Sequence, residues 1–155
     1  MKFESTLIKA VLIKRYKRFL ADVRLESGKV MTIHCANTGS MKTCGSPGDI
    51  VFLSHHPSPK RKLPYTWELT QTKGGYIGVN THLPNRIVEE AFQHKKIEGL
   101  AHYDCVKKEV KYDTSRIDLQ LSHPTQVPCW VEVKNVTLCE EGTLFFPDAV
   151  STRAI

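Results

Sequence analysis

Asp118, Glu132 and Lys134 hold most of the reactive potential of this 155-residue sequence, in the stretches Arg116-Ile117-Asp118 and Trp130-Val131-Glu132-Val133-Lys134. Residues two apart on a strand share a face, so Glu132 and Lys134 point one way and Val131 and Val133 the other. Let the two stretches form an antiparallel hairpin with the seven residues Ser122 to Pro128 as its loop. Leu121 then faces Cys129, and Asp118 falls opposite Glu132. In that register Ile117, Leu119 and Leu121 match Val133, Val131 and Cys129 on an apolar face, leaving Asp118, Glu132 and Lys134 together on the reverse. The same count sets Arg116 against Lys134, a like-charge pair that needs an acid or a cation nearby. Glu109, on the preceding strand, offers a further acid.

Two carboxylates and an amine in one place suit phosphodiester hydrolysis. Asp118 and Glu132 would hold Mg2+ or Mn2+; magnesium in particular binds through one or two acids plus substrate phosphate. Lys134 would orient the attacking water or offset developing negative charge. A lattice of surface ion pairs accounts for the same residues without any chemistry, and both readings stand at this point.

The strands that would carry this row follow a change of pattern near residue 81. Before it come short apolar runs broken by turn signals: Leu7 to Ile13, then Phe19, Ala21, Val23 and Leu25 in alternation, then Val30 to His34 after the turn Glu26-Ser27-Gly28-Lys29. Ile50 to Leu53, Thr66 to Thr72 and Tyr76 to Val79 complete five or six strands with no convincing helix. That pattern predicts a small OB-like barrel over residues 1–80. After Leu83-Pro84-Asn85, the spacing of Ile87, Val88, Ala91, Phe92 and Ile97 predicts a helix from Arg86 to Ile97. Strands at Val106 to Tyr112, Arg116 to Leu121 and Cys129 to Lys134 follow, giving a second, α/β half over residues 81–155.

Charge is divided between the halves. Residues 1–80 hold 13 Lys and Arg against 5 Asp and Glu, a net +8, whereas residues 81–155 hold 9 against 11, a net −2. Clustered cations of this kind fit a polyanion, because neutralising phosphates releases their condensed counterions. Lys14-Arg15-Tyr16-Lys17-Arg18-Phe19 interleaves cations with rings, and Lys60-Arg61-Lys62 is followed by Tyr65 and Trp67. Arg15, Tyr16, Lys17, Arg18, Lys60, Arg61, Lys62 and Trp67 are therefore the candidate nucleic-acid contacts, the rings stacking on bases. Phe19, in phase with Ala21 and Val23, is expected in the core.

Several functions are excluded or unsupported. No run approaches about 20 apolar residues and no signal-peptide pattern opens the chain, so a cytoplasmic protein away from membranes is expected. The five cysteines form no CxxC pair, and the seven histidines show no zinc-ligand spacing. No GxSxG, GxxxxGK[ST] or GxGxxG motif occurs.

An Asp followed by Glu-x-Lys resembles the PD-(D/E)XK, restriction-endonuclease-like superfamily. More closely, the sequence resembles the bacterial sugar fermentation stimulation protein A family. The likeness is carried by Arg15 to Val23, His34 to Met41, Lys60 to Leu69, Ser115 to Asp118, Glu132 to Leu138 and Phe146-Pro147-Asp148-Ala149-Val150. It implies an α+β chain: an N-terminal OB-like barrel and a nuclease-like domain, in a DNA-binding protein linked to regulation of sugar (maltose) metabolism genes. By position, Asp118, Glu132 and Lys134 fall on the nuclease motif, with Glu109 a weaker match. Members of the family continue well past Phe146 to Val150, whereas this chain stops at Ile155. The nuclease-like half is therefore expected to be incomplete, with a bare sheet face and an open edge that a homodimer could cover. DNA, single- or double-stranded, is the expected partner.

Overall fold

A computed structural model describes residues 1–146, and Pro147 to Val150 of the last motif lie outside the described residues. Within them the chain forms two compact units, residues 2–81 with 135–146, and residue 1 with 82–134.

The first unit contains β1 (Ile8–Tyr16), β2 (Leu20–Leu25), β3 (Val30–His34), β4 (Ile50–His55), β5 (Tyr65–Thr72) and β6 (Gly75–Gly78). β1 pairs antiparallel with β2 and with β4, β2 with β3, and β4 with β5; β3 then meets β5 in parallel at His34 and Thr66 and closes a five-stranded barrel. This is the Greek-key connectivity of an OB fold, with β6 added as a hairpin on β5. Alternation decides most of what faces inward: Ala21, Val23, Ile33 and Val51 have no exposed surface while their strand neighbours are partly or fully exposed, and past the irregularity in the β4–β5 pairing Leu53 and Trp67 are buried beside Ser54, Thr66 and Glu68. The β2–β3 turn works because Gly28 takes φ +83°, and the Lys29 carbonyl accepts from the Leu25 amide at 2.9 Å. Residues 135–146 belong to this unit, carrying the short hairpin β10 (Leu138–Glu140) and β11 (Thr143–Phe145). Thr43 fastens the segment, donating to the Thr137 carbonyl at 2.7 Å and accepting from the Cys139 amide at 3.3 Å.

The second unit has α1 (Pro84–Gln93) and a three-stranded antiparallel sheet, β7 (Cys105–Tyr112), β8 (Ser115–His123) and β9 (Gln126–Val131). Phe92, Tyr103 and Leu121 form its core with Ile97, Leu100, Val106, Cys129 and Val131 around them. The helix stops at Gln93 rather than Ile97. Lys95 takes a left-handed φ of +54° and its ammonium donates to the carbonyls of Ala101 and Tyr103, which closes the chain back on itself. The β8–β9 loop is also shorter than the seven residues expected. Pairing continues to His123 and Gln126 past an irregularity, so the prolines did not end the strand. Among the described residues β9 lies at the edge of its sheet, and Pro128 falls at the irregularity between the Leu121–Cys129 and His123–Gln126 pairs, where a missing N–H is tolerated.

Candidate functional site

The β8–β9 register is the one the parity argument requires: Leu121 pairs with Cys129 and Leu119 with Val131. Leu119 and Leu121 are buried, and Val131 and Val133 are partly buried while Glu132 and Lys134 are exposed. The ladder nevertheless ends at Val131, so the strand expected to reach Lys134 stops three residues early. There Asp118 makes the contacts between the segments. Its Oδ2 accepts from the backbone N–H of Val133 at 2.8 Å, holding the chain just past the ladder, and its Oδ1 accepts from the Asn85 side chain, at the start of α1, at 2.9 Å. Glu132 accepts from the Lys134 ammonium at 2.6 Å.

Glu109 would stand opposite Asp118 between the pairs Lys108–Leu119 and Val110–Ile117, but a φ of +51° turns it out of the ladder. Its carboxylate lies 3.7 Å from Arg116. Arg116 pairs in register with Lys111, so Glu109 is the acid that this like-charge pair needs. Glu109, Asp118 and Glu132 thus run across three neighbouring chain segments, each with a partner of its own. Among the described residues no group of three His, Cys, Asp or Glu is close enough together to hold a metal ion.

The cations of the barrel gather differently. In OB folds the ligand face is that of strands 2 and 3, flanked by the loops joining strands 1 to 2 and 4 to 5. Here Lys17 and Arg18 form the β1–β2 loop, and Lys60-Arg61-Lys62 lies in the β4–β5 loop. Outward positions between them run in register: Tyr16, Leu20 and His34 in one row, Lys14, Asp22 and Thr32 in the next, then Arg24 and Val30. A cleft of about 270 Å³ opens at His34, Arg61, Lys62 and Leu63. In the middle row Thr32 donates to Asp22 Oδ1 at 2.7 Å, Tyr16 donates to the same oxygen at 3.0 Å, and Lys14 stands 3.5 Å from Oδ2. The Thr32 bond is the chief reason the Asp22 carboxyl is held below its ordinary pKa; partial desolvation opposes it, and Tyr16 and Lys14 add to the lowering.

Two aromatic expectations exchange places. Trp67 has no exposed surface and donates its indole N–H to the Leu69 carbonyl and the Thr70 hydroxyl, so it is core and offers no ring to a base. Phe19, expected inside, is 50% exposed, because β2 begins at Leu20 and the preceding turn breaks the alternation. Arg15 is partly buried and donates through one guanidinium nitrogen to the carbonyls of Arg18, Asn37 and Gly39, tying the β1–β2 loop to the chain after β3. Its role in this structure is to shape the face rather than to stand free on it.

Sequence reasoning passed over one network. Glu68, 3% exposed, accepts from Ser54 and from the Asn80 side chain, and Ser54 Oγ lies 2.7 Å from His56 Nε2. The His56 amide also donates to the Pro64 carbonyl at 2.8 Å. The root of the basic β4–β5 loop is therefore pinned to the barrel interior. A Glu at an inward position of a strand, two residues before Thr70, was the available signal. Cys35 and Cys44 are buried free thiols whose pKa values burial raises, which suits inert core residues.

Residues 13–79 match the family model described as the SfsA N-terminal OB domain, and residues 82–155 match the Sugar fermentation stimulation protein RE domain. Proteins named sugar fermentation stimulation protein homolog are similar over nearly the whole chain. That of Geotalea uraniireducens is 52% identical over 99% of this chain and 66% of its own length. Those of Geobacter sulfurreducens and Psychromonas ingrahamii are each 54% identical, over 95% and 97% of this chain and 63% and 69% of their own. The chain thus spans about two thirds of the length of these relatives. A solved structure, that of Pyrococcus furiosus SfsA in complex with Ca2+, superposes with a TM-score of 0.83 over 99% of this chain and 64% of that one. At 23% identity that likeness is one of fold.

Proposed function

Given that the chain belongs to the sugar fermentation stimulation protein family, we propose that its barrel binds DNA across the outer face of β2 and β3. One observation carries the reading: the two basic clusters, far apart in sequence, lie on the two loops that flank the ligand face of an OB fold. Lys17, Arg18, Lys60, Arg61 and Lys62 would meet phosphates, and the cleft at His34 would receive the strand. Regulation of sugar-metabolism genes would then act through DNA. No helix among the described residues is long and apolar enough to cross a membrane.

Fluorescence anisotropy with labelled DNA from about 50 to about 200 mM salt tests this. Affinity should fall steeply, and Lys60, Arg61 and Lys62 changed together to Ala should flatten the slope of log K against log salt by up to about 0.9 per lost phosphate contact on duplex. No binding at low salt, or an unchanged slope, would refute it.

A second reading, a divalent-cation site at Asp118 and Glu132, is supported by the register that brings these acids to adjacent segments and by the Ca2+ complex of the similarly folded Pyrococcus furiosus SfsA. Two carboxylates are the donor set Mg2+ or Mn2+ accepts, and either ion, when bound, would polarise a phosphoryl oxygen and lower the pKa of a water. Glu132 would exchange Lys134 for the cation, freeing that ammonium for the phosphate. Labelled single- and double-stranded DNA incubated with and without Mg2+ decides it. Cation-dependent cleavage lost in Asp118→Asn and Lys134→Ala supports hydrolysis; cleavage that survives either substitution does not.

A further inference from the structure

A lone exposed apolar side chain needs no explanation, but Phe19 has an unusual setting. Its backbone is fixed on both sides: its N–H donates to the Lys17 carbonyl and its carbonyl accepts from the Cys35 amide, each at 2.8 Å. The ring stands half exposed on that rigid stem. The two residues before it, Lys17 and Arg18, hold φ of +48° and +63°, a conformation that costs a non-glycine L residue about 1–2 kcal/mol. Asn-Gly would make this turn more easily, yet the chain places two cations there. Adjacent to the turn, the outward row Tyr16, Leu20 and His34 leads toward the cleft lined by Arg61 and Lys62.

An exposed ring directly after two cations suits a ligand that offers a flat face beside a phosphate. In a duplex the base faces are already stacked on one another, whereas an unpaired strand offers them. We infer that the barrel face prefers an unpaired nucleic-acid strand and that Phe19 is the residue on which a base stacks. The inference deepens the DNA-binding reading and rests on it. The backbone beneath the ring is held in advance, so only the two side-chain torsions of Phe19 have to be ordered by the contact.

The test uses the full chain and three labelled probes of about 15 units: oligothymidylate, oligouridylate and a DNA duplex. At equal salt the oligothymidylate should bind more tightly than the duplex, and the oligouridylate arm distinguishes deoxyribose from ribose as the natural source of the strand. Phe19→Ala should weaken single-strand binding about tenfold while changing duplex binding by less than about twofold, and Phe19→Tyr should retain most of it. Phe19→Trp should show fluorescence quenching on adding oligothymidylate, a signal that a merely structural role would not give. Tighter duplex binding, an equal loss on both probes, or no loss on the single strand would overturn the stacking role. If neither probe binds at about 50 mM salt, the DNA-binding reading falls as well; if both bind with a normal salt slope and Phe19→Ala is silent, only the stacking inference falls.

Discussion

Asp118 is bonded on both carboxylate oxygens, so its contribution to stability can be measured apart from the proposed cation site. Replacing it with Ala leaves the Val133 amide and the Asn85 side chain without an acceptor, at a cost of about 1–3 kcal/mol. Asp118→Asn keeps one carbonyl oxygen and should cost about half as much in urea-induced unfolding. Equal stability of both variants with the parent would show that these bonds contribute nothing. Asp22 makes a pH-dependent counterpart in the barrel. Its carboxyl is held below the ordinary Asp value, first of all by the Thr32 hydroxyl. A depressed folded pKa contributes stability above the unfolded value of about 3.9, and that contribution is lost as pH falls through the lowered one. Thr32→Val should therefore be less stable than the parent near neutrality, and the gap should narrow as the pH drops from about 5 toward 2. A gap that widens on acidification would show that Asp22 is not the group responsible.

The β1–β2 hairpin is held in a costly shape, with two cations at its left-handed positions. Changing Lys17-Arg18 to Asn-Gly relieves two left-handed residues and should raise the melting temperature, by the equivalent of about 1 kcal/mol, while weakening DNA binding. A variant that is both more stable and an equally good binder would mean the cations serve no ligand. Alternation and turn residues made the barrel strands readable in the sequence, because most inward positions are apolar whatever lies at the loops, Glu68 and Thr70 being polar exceptions. Parity likewise foretold the Leu121–Cys129 register. It could not tell where β9 ends, and hydrophobic pattern does not report the bond from the Val133 amide to Asp118 that holds the chain just beyond. Phe19 and Trp67 were misplaced for a related reason: periodicity holds only inside a strand, and an indole whose N–H finds Leu69 and Thr70 is as content in a core as leucine. The Arg15 bonds were unreadable because their acceptors are backbone carbonyls as many as 24 residues away.

Charge follows the folded units more sharply than it follows the two halves of the sequence. Residues 82–134 hold eight Lys and Arg and eight Asp and Glu, whereas residues 2–81 with 135–146 hold 13 against 7, so the whole +6 of the chain belongs to the barrel unit. The acids Glu140 and Glu141 reach that unit only because residues 135–146 return to it. A chain of residues 1–81 would keep every barrel strand and all 13 cations but lose the return segment. The Thr43 bonds to Thr137 and Cys139 and the Asn135 bond to the Gly78 carbonyl go with it, each worth about 1 kcal/mol. Such a chain should still fold by circular dichroism, unfold at lower urea, and bind DNA at least as tightly as the full chain with an undiminished salt slope, because it removes two like charges from the ligand's side of the balance and no phosphate contact. A folded chain of residues 1–81 that bound with half the salt slope would show that residues 82–134 hold phosphates too, and the barrel face would lose its claim to be the whole interface.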